Sequence, residues 1–303
     1  MRILTLDGGG SKGVYTIGVL RELEAAIEVP LWKFFNLVYG TSTGSIIASL
    51  IALGYNMEKI EGIYFDLIPK IMSMKGRKKR TAQLKCDLEN ILGDKRFDAF
   101  KTDVAIVATN YDSEQPLIFK SGKDQAYSRK GTFEPGFGCT IAESILASSA
   151  AYPVFCKAKV ETANQKSISA LDGGFIANNP TLMAITDALM SLNKPKEDIR
   201  ILNVGTGNFY EKPINFFLKT LNYFEIVKLF EKILKSNGNT TETLINLLFK
   251  DMNIVRINDT FNQPQYGTNM IEKDIEKLKL LYRCGRESFG PYEKRVMKLF
   301  GLN

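Results

Sequence analysis

No histidine occurs anywhere among the 303 residues, and that absence excludes more chemistry than any other feature of the composition. Without an imidazole the chain cannot build a Ser-His-Asp triad, a Cys/His zinc site or a histidine proton relay near neutral pH. Cysteine is scarce as well. Cys86, Cys139, Cys156 and Cys284 are scattered with no C-x-x-C pair, so no metal or redox dithiol is encoded and reduced structural thiols are expected. No apolar run reaches the roughly 18 residues of a membrane-spanning helix, and there is no internal repeat or long low-complexity tract. The start, "MRILTLDGGG", enters a strand and a glycine loop at once, leaving no room for a signal peptide. The expectation is a cytoplasmic chain with no metal and no cofactor.

What is present is ordinary globular material, 45% hydrophobic and 24% charged, enough for one large domain or a domain with an appended lobe. Forty Lys plus Arg against 33 Asp plus Glu give a formal charge of +7. That balance modestly favours anionic partners and serves solubility equally well. Strands and helices alternate: "RILTL" (Arg2 to Leu6), a helix over Val14 to Ile27, "FNLVY" (Phe35 to Tyr39), a buried helix from Thr43 to Gly54, and strands "DVAIVATN" (Asp103 to Asn110) and "RILNVGTG" (Arg200 to Gly207). Asn179 and Pro180 read as the N-cap and first residue of a further helix. This rhythm predicts an α/β fold, a mostly parallel central sheet with helices on both faces, over residues 1–210. Beyond it, segments 213–236, 239–253, 271–284 and 287–300 read as helices, which makes 211–303 a helical C-terminal extension packed on the same domain. The loop from Ser121 to Gly138 is the least regular stretch.

Three short segments carry chemistry. "LDGGGSKG" sets Gly8-x-Gly10-x-x-Gly13 between a strand and a helix, where backbone N–H groups can meet an anion. A dinucleotide fingerprint would need an acidic residue at the end of the second strand. Here that strand runs instead into "GTSTG", which places Ser42 between Gly40 and Gly44 in the G-x-S-x-G pattern of a nucleophile elbow. The third segment, "SALDGGFIANNP", holds Asp172 ahead of Gly173 and Gly174. Standing alone it reads equally well as a turn with Asp bonding its own backbone. With no histidine, a serine nucleophile needs a carboxylate or a lysine as base, which leaves Asp172 and Lys12 as candidates.

Together and in this order, "LDGGGSKG", "GTSTG" and "LDGGF" resemble the three signature motifs of the patatin-like phospholipase family; "ASSAAYPVF" (Ala147 to Phe155) and "NVGTGN" (Asn203 to Asn208) are similar to lesser family stretches. The resemblance covers roughly residues 1–210 and implies a fold related to the α/β-hydrolases and lipid acyl hydrolysis by a Ser-Asp dyad without histidine. Carried over, Ser42 is the nucleophile, Asp172 its base, and Gly8, Gly9 and Gly10 the oxyanion hole. Lys12, where the family often has arginine, would orient or neutralise that loop, with Gly13, Gly40, Gly44, Gly173 and Gly174 supporting the motifs. The implied substrate is a membrane phospholipid, no nucleic acid is expected, and some relatives in bacteria answer to a small-molecule activator, a cyclic nucleotide. Non-hydrolytic nucleotide binding at Gly8 to Gly13 and a silent scaffold are the alternatives.

Two features bear on lipid surfaces. "KGRKKR" (Lys75 to Arg80) has five basic residues in six and no interleaved aromatics, so it is a solvated face or a contact for anionic headgroups rather than a nucleic-acid groove. In the segment 213–236, Phe216, Tyr223, Val227, Phe230 and Leu234 form one apolar side for the core. Ile214, Phe217, Leu218, Leu221 and Phe224 crowd another, suited to a second buried contact, to a lid or to peripheral membrane contact.

Overall fold

The computed structural model describes residues 1–126, 130–164, 166–211 and 222–302. In chain order the strands are β1 (Arg2–Leu6), β2 (Leu37–Thr41), β3 (Asp103–Asn110), β4 (Gln115–Lys120), β5 (Ala158–Glu161), β6 (Ser167–Asp172), β7 (Arg200–Val204), β8 (Asn208–Phe209), β9 (Asn253–Ile257) and β10 (Thr260–Phe261). The helices are α1 (Gly13–Ile27), α2 (Leu31–Phe34), α3 (Thr43–Ala52), α4 (Met57–Ser73), α5 (Arg77–Leu92), α6 (Ile141–Ser148), α7 (Gly174–Ala177), α8 (Thr181–Thr186), α9 (Asn222–Leu248), α10 (Ile275–Phe289) and α11 (Glu293–Phe300).

The main sheet runs β5-β6-β3-β2-β1-β7-β9, with β4 also on β3. The five strands from β3 to the β9 edge, β3-β2-β1-β7-β9, are parallel, whereas β4 and β6 meet β3 antiparallel and β5 meets β6 antiparallel. β1, β2 and β7 are near-continuous apolar runs because both their faces are covered. One face packs Val14, Tyr15, Ile47 and Leu281, the other Ala184, Ile185, Ala188 and Ile245.

One feature of register creates the functional end of the sheet. β2 pairs in parallel with β3 up to Thr41 opposite Val107, and β6 pairs antiparallel with the same strand from Asp172 opposite Ala108. Because β4 occupies the other edge of β3 along Ala105 to Asn110, β2 and β6 share one edge and meet end to end. Ser42, the residue after β2, therefore arrives beside Asp172, the last residue of β6.

The C-terminal third departs from an all-helical pattern. A single helix, α9, runs through Gly238, and Asn253–Ile257 forms β9, which pairs with β7 and lengthens the main sheet. Gly238 lowers helix propensity by about 1 kcal/mol, too little to break a helix whose Val227, Phe230, Leu234 and Ile245 are buried on both sides of it. α10 docks on α1 backbone to backbone: a Cβ on Gly18 would lie 2.3 Å from the Tyr282 carbonyl oxygen, and one on Gly285 would lie 2.1 Å from that of Tyr15. Helix α8 starts at Thr181, one residue later than expected, with Asn179 Oδ1 accepting from the Thr181 N–H at 3.0 Å. Residues 214, 217, 218 and 221, which carry most of the expected second apolar side, and residue 216 of the first lie outside the described residues. No helix among the described residues is long and apolar enough to cross a membrane.

Candidate active site

Ser42 sits on the sharp turn between β2 and α3 with φ 52° and ψ −120°, a strained conformation for a non-glycine residue and the one a nucleophile elbow imposes. The turn is that tight because Gly40 and Gly44 lack side chains. A Cβ on Gly40 would fall 2.4 Å from the Gly44 carbonyl oxygen, and one on Gly44 would fall 2.4 Å from that of Leu6. The Ser42 N–H donates to Ser148 Oγ at 2.9 Å, and Ser148 Oγ donates in turn to the Val107 carbonyl at 2.5 Å. Ser45 fixes the carbonyl side, donating to Ser42 O through its N–H at 2.8 Å and its hydroxyl at 2.6 Å.

Asp172 is fully buried. Its Oδ1 accepts from the Gly174 N–H at 2.7 Å, while Oδ2 is buried with no hydrogen-bond partner. Burial pushes the carboxyl up to about 7; the Ser42 hydroxyl beside it and the Gly174 N–H pull it partly back. Its backbone is tied to the same segment that holds Ser42, since Asp172 N–H donates to Ala150 O and Gly173 N–H to Ser148 O, both at 3.1 Å. Gly173 passes so close to β3 that a Cβ there would meet the Val107 carbonyl oxygen at 2.1 Å.

The glycine loop faces this pair. The Gly8 N–H donates to the Asn178 carbonyl at 3.0 Å, so Gly8, expected among the oxyanion donors, spends its N–H anchoring the loop. The N–H groups of Gly9 and Gly10 have no partner among the described residues. Gly10 adopts φ +60°, and a Cβ there would lie 2.3 Å from the Met270 carbonyl oxygen, so only glycine fits without strain. Tyr64 Oη, itself bonded to Thr43 Oγ1, donates to the Gly10 carbonyl at 2.9 Å, and a Cβ on Gly13 would lie 2.4 Å from that phenol oxygen.

Charges frame the loop. Asp7, just ahead of the glycines, is buried against the Arg256 guanidinium at 2.9 Å and accepts from Asn203 Nδ2 at 2.9 Å. Burial pushes its carboxyl up, and Arg256 and Asn203 draw it back. Arg256 also holds Glu242 of α9 at 2.9 Å, and Lys12 pairs with Glu231 of α9 at 2.9 Å. Between loop and helix remains a cavity of about 70 Å³ lined by Gly8, Gly9, Lys12, Asn178, Leu234 and Arg256.

The fold thus brings Ser42, Asp172, Gly9, Gly10 and Lys12 to one end of the sheet, and none of the expected site residues lies elsewhere. Sequence reasoning missed Ser148, Ala150, Asn178 and Arg256, and it read α9 as two helices, 213–236 and 239–253, without placing them at the site. Ser148 and Ala150 fall inside "ASSAAYPVF", a stretch that carried a motif signal without a role; Arg256 carried none, because it falls between the expected helices 239–253 and 271–284.

A family profile described as patatin-like phospholipase matches residues 4–185. Among individual proteins, the chain is 44% identical over 295 residues to an Escherichia coli protein named cUMP-AMP-activated phospholipase, covering 97% of this chain and 92% of that one. It is 28% identical over 233 residues to a cGAMP-activated phospholipase of another Escherichia coli strain, covering 68% of this chain and 62% of that one. It is 28% identical over 358 residues to patatin-like protein 2 of Arabidopsis thaliana, covering 99% and 86%. Among solved structures, VipD from Legionella pneumophila superimposes with a TM-score of 0.52 at 13% identity, over 99% of this chain and 66% of that one, a likeness of fold.

Proposed function

Because this chain belongs to the patatin-like phospholipase family, we propose that it cleaves the carboxylic esters of membrane phospholipids through an acyl-Ser42 intermediate, with Asp172 as the base, and that a cyclic nucleotide switches it on. The observation that carries the reading is the Asp172 carboxyl. It is buried beside an elbow serine, has one oxygen free of any partner, and is raised to about 7 by burial. A carboxyl with an ordinary pKa near 4 is a feeble base at neutral pH, whereas one near 7 is matched to the task.

The steps follow from the placement of these groups. Ser42 Oγ attacks the ester carbonyl carbon as its proton passes to Asp172 Oδ2. The oxyanion that forms is held by the Gly9 and Gly10 N–H groups, each of which typically contributes 10²- to 10³-fold to the rate. Collapse expels the lysolipid alcohol, which takes the proton back from Asp172, and leaves the fatty acyl group on Ser42. Water then attacks the acyl carbonyl, giving its proton to Asp172, and the second collapse releases the fatty acid and restores the Ser42 hydroxyl. Esters suit this dyad better than amides because their leaving group needs less protonation.

The activator rests on the two nucleotide-activated relatives. Peripheral contact with anionic lipid is supported by the exposed Lys75, Arg77, Lys78 and Lys79. The test is fatty-acid release from phosphatidylglycerol and phosphatidylethanolamine vesicles, with and without the cyclic UMP-AMP dinucleotide. Release that requires the nucleotide and vanishes in Ser42→Ala is expected; undiminished release by Ser42→Ala would sink the assignment. Binding of the nucleotide with no ester cleavage on any lipid would favour a non-hydrolytic binding protein.

A further inference from the structure

Helix α9 closes the catalytic cleft, and it does so with carboxylates. Its inner side presents Val227, Phe230 and Leu234, all buried. The Phe230 ring lies 4.8 Å from that of Phe175, and Leu234 packs on Gly174, whose N–H holds Asp172. Around these apolar contacts are three polar ones. Glu231 pairs with Lys12 at 2.9 Å; Asn237 accepts from the Asn178 N–H at 2.8 Å and donates to the Ile176 carbonyl at 3.0 Å; Glu242 pairs with Arg256 at 2.9 Å. Both cations bound to the oxyanion loop, Lys12 as part of it and Arg256 through Asp7, are therefore capped by acids of one helix. The cavity of about 70 Å³ left beside Gly8 and Gly9 is far below the roughly 300–1,000 Å³ of sites that take drug-sized ligands. Ser42 does not line that cavity and is only 6% exposed with α9 docked.

We propose that α9 is an autoinhibitory lid in which Glu231 and Glu242 stand in for a phosphodiester that Lys12 and Arg256 bind when the helix lifts. The inference rests on the phospholipase reading of the site. Charge decides what opens it. Lys12, Arg256, Asp7, Glu231 and Glu242 together carry one excess negative charge with α9 docked, and lifting α9 removes two carboxylates and leaves one excess positive charge. An anion with two oxygens in reach of both cations competes with the helix, and a neutral ligand does not. The outer side of α9 exposes Ile226, Leu229 and Ile233 by 48%, 58% and 43%, so a lifted helix already carries an apolar stripe that a bilayer surface would cover. A phosphodiester arrives either on a lipid headgroup or on a soluble nucleotide.

The test reads access to Ser42 rather than turnover: the rate at which a small fluorophosphonate labels Ser42 in the full chain, together with hydrogen exchange of the α9 amides. Without lipid or nucleotide, Glu231→Gln is expected to label about tenfold faster than wild type, the value for losing a partly buried ion pair, with faster exchange along α9. Leu234→Ala, which keeps both ion pairs and trims the apolar contact, moves both readouts the same way. Two probes separate the sources of the anion in wild type, the cyclic UMP-AMP dinucleotide and phosphatidylglycerol vesicles. Whichever accelerates wild-type labelling, and accelerates Glu231→Gln less, is the opener. Unchanged labelling and exchange in both variants overturns the lid. Failure of both probes to accelerate wild type overturns the phosphodiester exchange. Faster α9 exchange with no label on Ser42 in any form contradicts the proposed nucleophile and leaves the lid standing.

Discussion

Asp172, the base in the proposed mechanism, carries a cost in stability that follows from its burial. Its carboxyl rises from 3.8 in the unfolded chain to about 7 in the folded one because burial disfavours the charge. Below pH 3.8 both states hold the proton and folding bears no cost. As pH rises toward 7 the unfolded state ionises first, and stability falls by at most about 1.4 kcal/mol per unit. Above pH 7 the folded protein carries the full penalty, up to roughly 4 kcal/mol, which Asp172→Asn lacks. That variant is expected to melt higher than wild type at pH 8 and equally near pH 4 while being catalytically dead. Equal melting at both pH values would mean that the carboxyl is not raised. On a soluble short-chain ester, wild-type kcat/KM should climb about tenfold per pH unit and level off near pH 7. Ser42 and Asp172 were legible in the sequence because the missing histidine made a carboxylate conspicuous. Ser148 was not, since a serine that donates to one backbone and accepts from another within "SSA" looks like any small residue.

Elements explain why those two residues meet although 130 positions separate them. β2 and β6 approach the same edge of β3 from opposite directions and stop at Val107 and Ala108, an arrangement of pairing that hydrophobic patterning does not encode. The parallel strands were readable from their continuous apolar runs. The continuity of α9 through Gly238 and the strand β9 were not, for two physical reasons. Gly238 resembles a helix end in isolation, and the β state of Asn253–Ile257 is fixed by its pairing with β7 rather than by its own propensity. At Gly238 an added Cβ would meet only Asn178 Nδ2, at 3.6 Å, an ordinary contact. Gly238→Ala is therefore expected to stabilise by about 0.5–1 kcal/mol and raise Tm by about 2 °C. A fall in Tm would show that the helix needs flexibility there.

For the whole molecule, the question is how a chain with a formal charge of +7 meets a water-insoluble substrate. Lys75, Arg77, Lys78 and Lys79 are exposed at the start of α5, where the helix dipole disfavours cations, so the cluster does not serve the helix. Arg77 donates to Tyr152 Oη at 3.0 Å, and Tyr152 lies two residues beyond Ala150, which holds the Asp172 N–H. The basic cluster thus stands at the catalytic end of the sheet. Neutralising Lys75, Lys78 and Lys79 to Gln is expected to weaken sedimentation with phosphatidylglycerol vesicles and flatten its salt dependence, leaving the rate on a soluble ester unchanged. Equal loss on soluble and vesicular substrates would place those lysines in folding rather than in lipid contact.

The central claim, that Ser42 carries the acyl group and Asp172 moves its proton, is tested most directly by acid-quenching the activated enzyme during turnover of a slow ester and weighing its peptides. The account predicts the acyl mass on the peptide containing Ser42 in wild type, its absence in Ser42→Ala, and at least a hundredfold slower appearance in Asp172→Asn. Acyl mass on another residue, or acylation of Ser42 at the wild-type rate in Asp172→Asn, would contradict it.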